Sequence, residues 1–158
     1  NIRFNTVMKN DKLDQSVPDV RRAEEMGCGD NLSVYTDFKN GNADHVLGAP
    51  VARELEAVVA ELLAFKRRRR GVIINSDYYL EQIPRYARGE MTEPCRAGIR
   101  TVHVSPTGHV KRCPDFPVDF HWRDYRAYEP IACNGCLYAC RGEAQAPLRI
   151  SRIRDVMA

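Results

Sequence analysis

Apolar and polar positions along the first ninety residues fall into alternating strand-like and helix-like blocks. Residues 2–9 (Ile2-Arg3-Phe4-Asn5-Thr6-Val7-Met8-Lys9) read as a strand with mixed faces. Ser16-Val17-Pro18 reads as a helix start, a cap residue followed by proline near the first turn. Val17, Val20, Ala23 and Met26 then point inward at helical spacing, and Gly27 stops the helix. Leu32-Ser33-Val34-Tyr35 is a short second strand. Strand, helix, strand in that order predicts an α/β unit with parallel strands. The clearest helix follows, with Val51, Leu55, Val58, Val59, Leu62, Leu63 and Phe65 near a 3.6-residue spacing and Pro50 at its first position. Lys66, Arg67, Arg68, Arg69 and Arg70 suit the negative end of its dipole and read as a solvated helix end. Val72-Ile73-Ile74 is a brief strand. Ser76 caps a further helix that presents Tyr79, Leu80, Ile83 and Tyr86 and ends near Gly89.

The pattern changes after residue 90. Residues 99–104 (Ile99-Arg100-Thr101-Val102-His103-Val104) alternate like a strand, Ser105-Pro106-Thr107-Gly108 supplies turn chemistry, and His109-Val110-Lys111-Arg112 returns. A β-hairpin is therefore expected. Residues 114–130, rich in aromatics and prolines, read as an irregular loop, and Cys133 to Cys140 as a tight thiol-rich turn. Leu148, Ile150, Ile153 and Val156 suggest a last short helix. No repeat or low-complexity segment is visible. The change of character puts a boundary near residues 88–94, dividing the chain into domains 1–90 and 91–158.

Composition narrows the function classes. The chain has 158 residues, 44% of them apolar, enough for a core in one ordinary domain or two small ones. Its 24 basic and 21 acidic residues leave a net charge of +3, too weak to argue for nucleic acid as a partner. No apolar run approaches the roughly 18–20 residues of a membrane span. The start, Asn1-Ile2-Arg3-Phe4-Asn5, lacks the apolar core of a signal peptide and lacks an initiator Met, so a fragment of a longer protein is the expectation. Six cysteines without a secretory signal point to a reducing, cytoplasmic setting and to metal ligands or redox groups instead of disulfides.

Five of the six cysteines, Cys95, Cys113, Cys133, Cys136 and Cys140, form a metal-binding constellation. Soft thiolates bind zinc and iron–sulfur clusters. Cys133-Asn134-Gly135-Cys136 is a C-x2-C knuckle whose two side chains can converge on one centre, and Cys140 follows close behind. Cys95 and Cys113 flank the expected hairpin, so antiparallel pairing brings them together. The full pattern, C-x12-G-x4-C followed by C-x2-C-x3-C, offers up to five sulfurs to one site. Zinc ribbons usually use two C-x2-C knuckles, whereas here the first pair is widely split. Spacing therefore favours an iron–sulfur cluster and leaves a zinc-stabilised interaction module as the alternative.

These residues also resemble a family. Cys95, Gly108-x4-Cys113 and the Cys133, Cys136, Cys140 group look like the SPASM or twitch extension of radical S-adenosylmethionine enzymes. The segment from Ile99 to Cys113 is similar to that family's hairpin, and Cys140-Arg141-Gly142-Glu143 matches its common ending. Residues 1–90 are similar to the last strand–helix units of the partial (β/α) barrel that precedes the extension. The resemblance implies an α/β fold with a small Cys-rich hairpin domain, an auxiliary [4Fe-4S] cluster, and S-adenosylmethionine with a second [4Fe-4S] cluster in the full-length protein. It implies a peptide or small-molecule precursor as substrate and a reduced flavodoxin- or ferredoxin-type electron donor. The family's catalytic C-x3-C-x2-C motif is absent here, so this chain is expected to be inactive alone. A full SPASM region also carries seven cysteines, and five suit one cluster. By resemblance to single-cluster members the ligands are Cys95, Cys113, Cys133 and Cys136. By resemblance to two-cluster members Cys140 joins the hairpin pair instead.

Other residues carry weaker expectations. Cys28, just past a helix end, reads as a buried structural thiol. Asn5 and Thr6 lie on the first strand, where polar side chains either face a ligand or simply alternate. His103 and His109 sit in the hairpin arms as exposed strand histidines or as replacements for a thiolate. His121 and Trp122 shield a cluster or pack their loop. The run from Lys66 to Arg70 could also dock an acidic electron carrier. Glu54, Glu56 and Glu61 belong to a helix's polar side. No Gly-rich phosphate loop or nucleophile elbow is present.

Overall fold

The structure, a computed structural model, describes residues 2–91, 93–115, 119–124 and 133–148. It contains both helix and strand and divides into two units, Asn1–Met91 with Cys136–Ala158, and Thr92–Gly135.

In the first unit, β1 (Arg3–Met8) and β2 (Gly29–Val34) pair in parallel, with Arg3 opposite Gly29 and Met8 opposite Val34. The connection is α1 (Ser16–Glu25), whose Val17, Val20 and Ala23 are buried as their spacing predicts. Met26 differs: it lies past the helix end and is exposed. Gly27, at φ 67°, turns the chain there in a conformation that side chains with a Cβ rarely adopt. Ser16 is the first helical residue and not the cap, and its Oγ is buried without a hydrogen-bond partner among the described residues.

The strong central helix is α2 (Ala52–Arg68), preceded by a 3-10 turn, Ala49–Val51, that holds Pro50. Leu55, Val59, Leu62 and Phe65 are buried on its inner face. Its end is not uniformly solvated. Lys66 is buried, and its Nζ donates to the Asn75 carbonyl (2.7 Å) and to Asp77 Oδ1 (2.9 Å). The long aliphatic stem carries the charge through the core to these acceptors, which a reading by charge alone does not anticipate.

The expected strand at 72–74 reduces to one parallel bridge, Asp30 with Ile73. Beyond it the Asn75 side chain substitutes for a strand backbone: Oδ1 accepts from Leu32 N–H (2.7 Å) and Nδ2 donates to the Leu32 carbonyl (3.0 Å). Ser76 then caps α3 (Asp77–Ala87), its hydroxyl accepting from Tyr79 N–H at 3.1 Å.

Helices cover one face of this sheet, where Met8, Leu32 and Val34 join the core with Leu62, Tyr79 and Ile83. The opposite face carries Arg3, Asn5, Val7, Asn31 and Ser33, all exposed or half-buried. Successive strand residues face opposite ways, so Asn5 and Thr6 have different surroundings. Thr6 lies on the covered side, donating its hydroxyl to the buried Asp30 at 2.8 Å.

The chain leaves this unit after Met91 and rejoins it at Cys136. The expected single division, with all of 91–158 in a second domain, therefore does not describe it. Leu137 is fully buried in the first core, and α4 (Ala139–Gln145) packs on α3 and β2. The turn expected over 133–140 thus ends in a helix. The further helix expected around Leu148 to Val156 lies largely outside the described residues.

The second unit is a three-stranded antiparallel sheet in the order β3 (His103–Val104), β4 (His109–Lys111), β5 (Asp119–His121). The β3–β4 turn closes at Ser105-Pro106-Thr107-Gly108 as its residues predict, with Ser105 N–H donating to the His109 carbonyl at 2.8 Å. β5 lies within the segment expected to be an irregular loop. Its three residues and flanking prolines gave no alternation long enough to read.

Gly142 is the tightest point of α4. A Cβ there would overlap the Tyr79 ring, with Cγ at 3.1 Å among the next nearest atoms. Gly142→Ala is expected to cost about 1–3 kcal/mol, read as a lower urea midpoint at unchanged slope. An unchanged midpoint would show that α4 is not seated on Tyr79.

Candidate metal centre

Cys95 precedes the three-stranded sheet and Cys113 follows β4, so the sheet separates them in sequence while keeping both in one unit. Cys95 is buried, Cys113 half-buried and Cys133 exposed. Burial pushes the Cys113 thiol up, and the charges of Asp115, Cys95 and Cys133 push it further, while the Asp115 backbone N–H donates to its sulfur and opposes the rise. The charges of Cys95 and Cys133 thus both bear on the Cys113 thiol.

Cys136 and Cys140 belong to the first unit, Cys136 buried and Cys140 exposed. Arg141 Nη1 donates to the Cys136 carbonyl at 2.6 Å, and the Tyr79 hydroxyl donates to the Leu137 carbonyl at 3.3 Å. Burial raises the Tyr79 hydroxyl well above its usual range, with Glu143, Cys140 and Cys136 adding to the rise. Ser76 N–H donates to Glu143 Oε1 at 2.7 Å. This segment is therefore held by buried polar bonds as well as by Leu137.

All six cysteines are thiols. Among the described residues, no group of three or more His, Cys, Asp or Glu side chains already stands in position to hold a metal ion. The thiols of the second unit form no such ligating set. Their donor chemistry, taken singly, suits a soft cation.

The remaining candidates resolve differently. Cys28 is half-buried, not buried, and its Sγ donates to the Met26 carbonyl at 3.5 Å. His109 and His121 face each other across β4 and β5 with ring centroids 6.3 Å apart, edge to face. Trp122 is 57% exposed, and Arg123 stacks over its ring at 5.3 Å, so its indole packs locally and stays open to water. His103 is exposed on β3.

Sequence reading singled out Asn5 but missed the row it belongs to. Asn5 Oδ1 accepts from Asn31 Nδ2 (2.7 Å) and from Ser33 Oγ (2.8 Å), and Asn75 Nδ2 donates to Asn31 Oδ1 (3.1 Å). The alternation of polar and apolar residues in Asp30-Asn31-Leu32-Ser33-Val34 was the available signal. The parallel register that aligns Asn5 with Asn31 was not.

No family model matches the chain, and neither a curated protein nor a solved structure is significantly similar to it.

The raised Cys113 thiol gives a pH dependence to the metal-free chain. A thiol whose folded pKa exceeds its unfolded value, about 8.5, favours the folded state below that pH, and this contribution is lost as pH rises through the folded value. Metal-free protein is therefore expected to lose stability above about pH 8.5, and Cys113→Ser to flatten that loss. Urea unfolding from pH 7 to 10 reads both. A parent and a variant with parallel profiles would contradict the assignment.

Proposed function

We propose that this chain is the C-terminal part of a radical S-adenosylmethionine protein. Its first unit corresponds to the last strand–helix units of a partial (β/α) barrel, and its second to an auxiliary-cluster domain of SPASM or twitch type. The observation that carries this reading is that Cys95, Cys113 and Cys133 fall in one small unit, with the charges of Cys95 and Cys133 bearing on the Cys113 thiol. The first unit supports it independently. Helices cover one face of its parallel sheet, and the other face bears a hydrogen-bonded polar row, Asn5, Asn31 and Ser33. A barrel strand pair needs that asymmetry, apolar outside and polar toward the lumen.

In this reading Cys95, Cys113 and Cys133 hold an auxiliary [4Fe-4S] cluster, with a fourth ligand that sequence spacing assigns to Cys136 or Cys140. Such a cluster, when bound, supplies one-electron transfer or a site for placing substrate. The protein's own contribution is to desolvate Cys95 and Cys113 and to donate the Asp115 N–H to the Cys113 sulfur, both of which tune a cluster's potential. The substrate is a peptide or small-molecule precursor, and a reduced flavodoxin- or ferredoxin-type protein supplies electrons. S-adenosylmethionine cleavage requires the C-x3-C-x2-C cluster site, which this sequence lacks.

Anaerobic reconstitution with ferrous iron and sulfide tests the reading. About four iron and four sulfide per chain are expected, with broad visible charge-transfer absorption. Cys95→Ser and Cys113→Ser each lower bound iron severalfold. A colourless protein with one tight zinc would replace this proposal with a zinc-stabilised interaction module.

The reconstituted chain, given dithionite and S-adenosylmethionine, is expected to form no 5′-deoxyadenosine above a protein-free control. Sustained turnover measured by chromatography would refute the assignment of this chain to the non-catalytic part.

A further inference from the structure

The two strands of the first unit run the same way and end together, Met8 opposite Val34. Parallel sheets take their ligands at the carboxyl ends of the strands, where the connecting loops meet. Here β1 is followed by Lys9, Asn10 and Asp11, and β2 by Tyr35 and the loop to His45. The two loops are tied together. Tyr35 N–H donates to the Met8 carbonyl (3.1 Å) and Asn10 N–H to the His45 carbonyl (3.4 Å). The Tyr35 hydroxyl reaches Asn40 Oδ1 (3.1 Å) and the Asn42 carbonyl (3.0 Å). Asn42 Oδ1 in turn accepts from Asp44 N–H (2.9 Å) and opens the 3-10 turn Ala43–His45. His45 is thereby set edge-on to the Tyr35 ring, with centroids 5.6 Å apart, and Lys9 Nζ stands 5.7 Å from the centroid of the same ring. Asn10 Oδ1, in the same loop, is buried with no hydrogen-bond partner among the described residues, a cost that native structures carry at few places.

Asp11 Oδ1 lies 3.0 Å from His45 Nδ1. A carboxylate oxygen accepts, so Nδ1 carries the proton and Nε2 keeps the lone pair. The His45 and Asp11 side chains are 32% and 44% exposed, and a pair so wet adds little to stability. What it fixes is which imidazole nitrogen is basic. We propose that Asp11 and His45 form a proton-transfer dyad in a ligand site at the strand ends, with His45 Nε2 as general base and Lys9 as the cation beside the anion that forms. The ligand is a weak acid. Its X–H bond breaks, the proton goes to Nε2, the electron pair stays on X near the Lys9 ammonium, and the Asp11 carboxylate stabilises the imidazolium. Tyr35 supplies an aromatic wall between the base and the cation. As a catalytic step this rests on the reading of the first unit as barrel strands that face a substrate, and it adds that the substrate gives up a proton there.

The test uses the full chain, metal-free. NMR of the imidazole nitrogens is expected to show His45 as the Nδ1–H tautomer, moving toward Nε2–H in Asp11→Ala. His121, whose Nδ1 accepts from Arg123 N–H at 3.4 Å, gives the opposite tautomer in the same spectrum. The ligand probe is 4-nitrophenol, a weak acid whose ionised form is yellow. Adding the chain at fixed pH is expected to raise the phenolate fraction to saturation, and Lys9→Met and His45→Gln each to remove most of that rise. A parent His45 in the Nε2–H form, or a tautomer unmoved by Asp11→Ala, would overturn the dyad. A phenolate fraction that the parent leaves unchanged, or that both variants raise as the parent does, would overturn the site. Should a variant not fold, the parent's tautomer and phenolate rise still decide. None of these readouts involves iron. A chain that assembles no cluster would sink the function above and leave the dyad measurable, and failure of the dyad would leave the cluster reading standing.

Discussion

The arrangement of the chain depends on the joint between Tyr79 and the segment that begins at Cys136. Tyr79 is fully buried, its hydroxyl donates to the Leu137 carbonyl, and its ring lies where any side chain on Gly142 would have to go. One turn earlier, Ser76 caps the Tyr79 N–H with its hydroxyl while its own N–H is taken by Glu143. A helix as short as α4 is not stable by itself. It is held because its glycine admits an aromatic ring and its glutamate satisfies an orphan donor at the start of α3. That joint returns the chain to the first unit, and residues 92–135 become an excursion bounded at both ends by one core.

Electrostatics governs the excursion as packing governs the core. Cys113 is drawn partly out of water beside groups of its own sign, and every interaction of that kind works against ionisation. A lone half-buried thiol tolerates this by staying protonated. A site that must offer several thiolates at once does not, and the balance reverses only when a cation enters. A cation bound there would displace protons, so its affinity would rise with pH over the range in which the metal-free unit weakens.

Local pattern made the first unit largely legible. The apolar spacings from Val17 to Ala23 and from Leu55 to Phe65, the cap at Ser76 and the stop at Gly27 are all decided within one or two turns of chain. Misreadings occurred where a distant partner decides. Lys66 looks solvated until Asn75 and Asp77 are known to lie beside it, and Ser16 looks like a cap until the preceding turn supplies the first helical bond. In the second unit the hairpin turn was legible from Ser105 to Gly108, because four residues settle it. β5 was not, since strands this short owe their existence to their neighbours. Cysteine spacing grouped five sulfurs as equals, but spacing cannot see that a buried leucine at 137 returns part of the group to a different core.

A metal would also bear on how the second unit holds together. Its strands are two or three residues long, and among its described residues Val110 and Cys95 are the buried apolar side chains, while Ile99, Val102 and Val104 are largely exposed. Against burial among these residues stands an ordering entropy of about 1–2 kcal/mol for each residue fixed. Small domains often rely on cross-links, and where cysteines stay free thiols a shared inorganic centre would be one. Ligands from before the sheet, after its central strand and near the end of the unit would tie together its most distant parts. Closing those long loops gives a bound centre the largest entropic leverage on the folded state. Were such a centre bound by Cys95 and Cys113, a substitution at either would act on the sheet as well as on the centre.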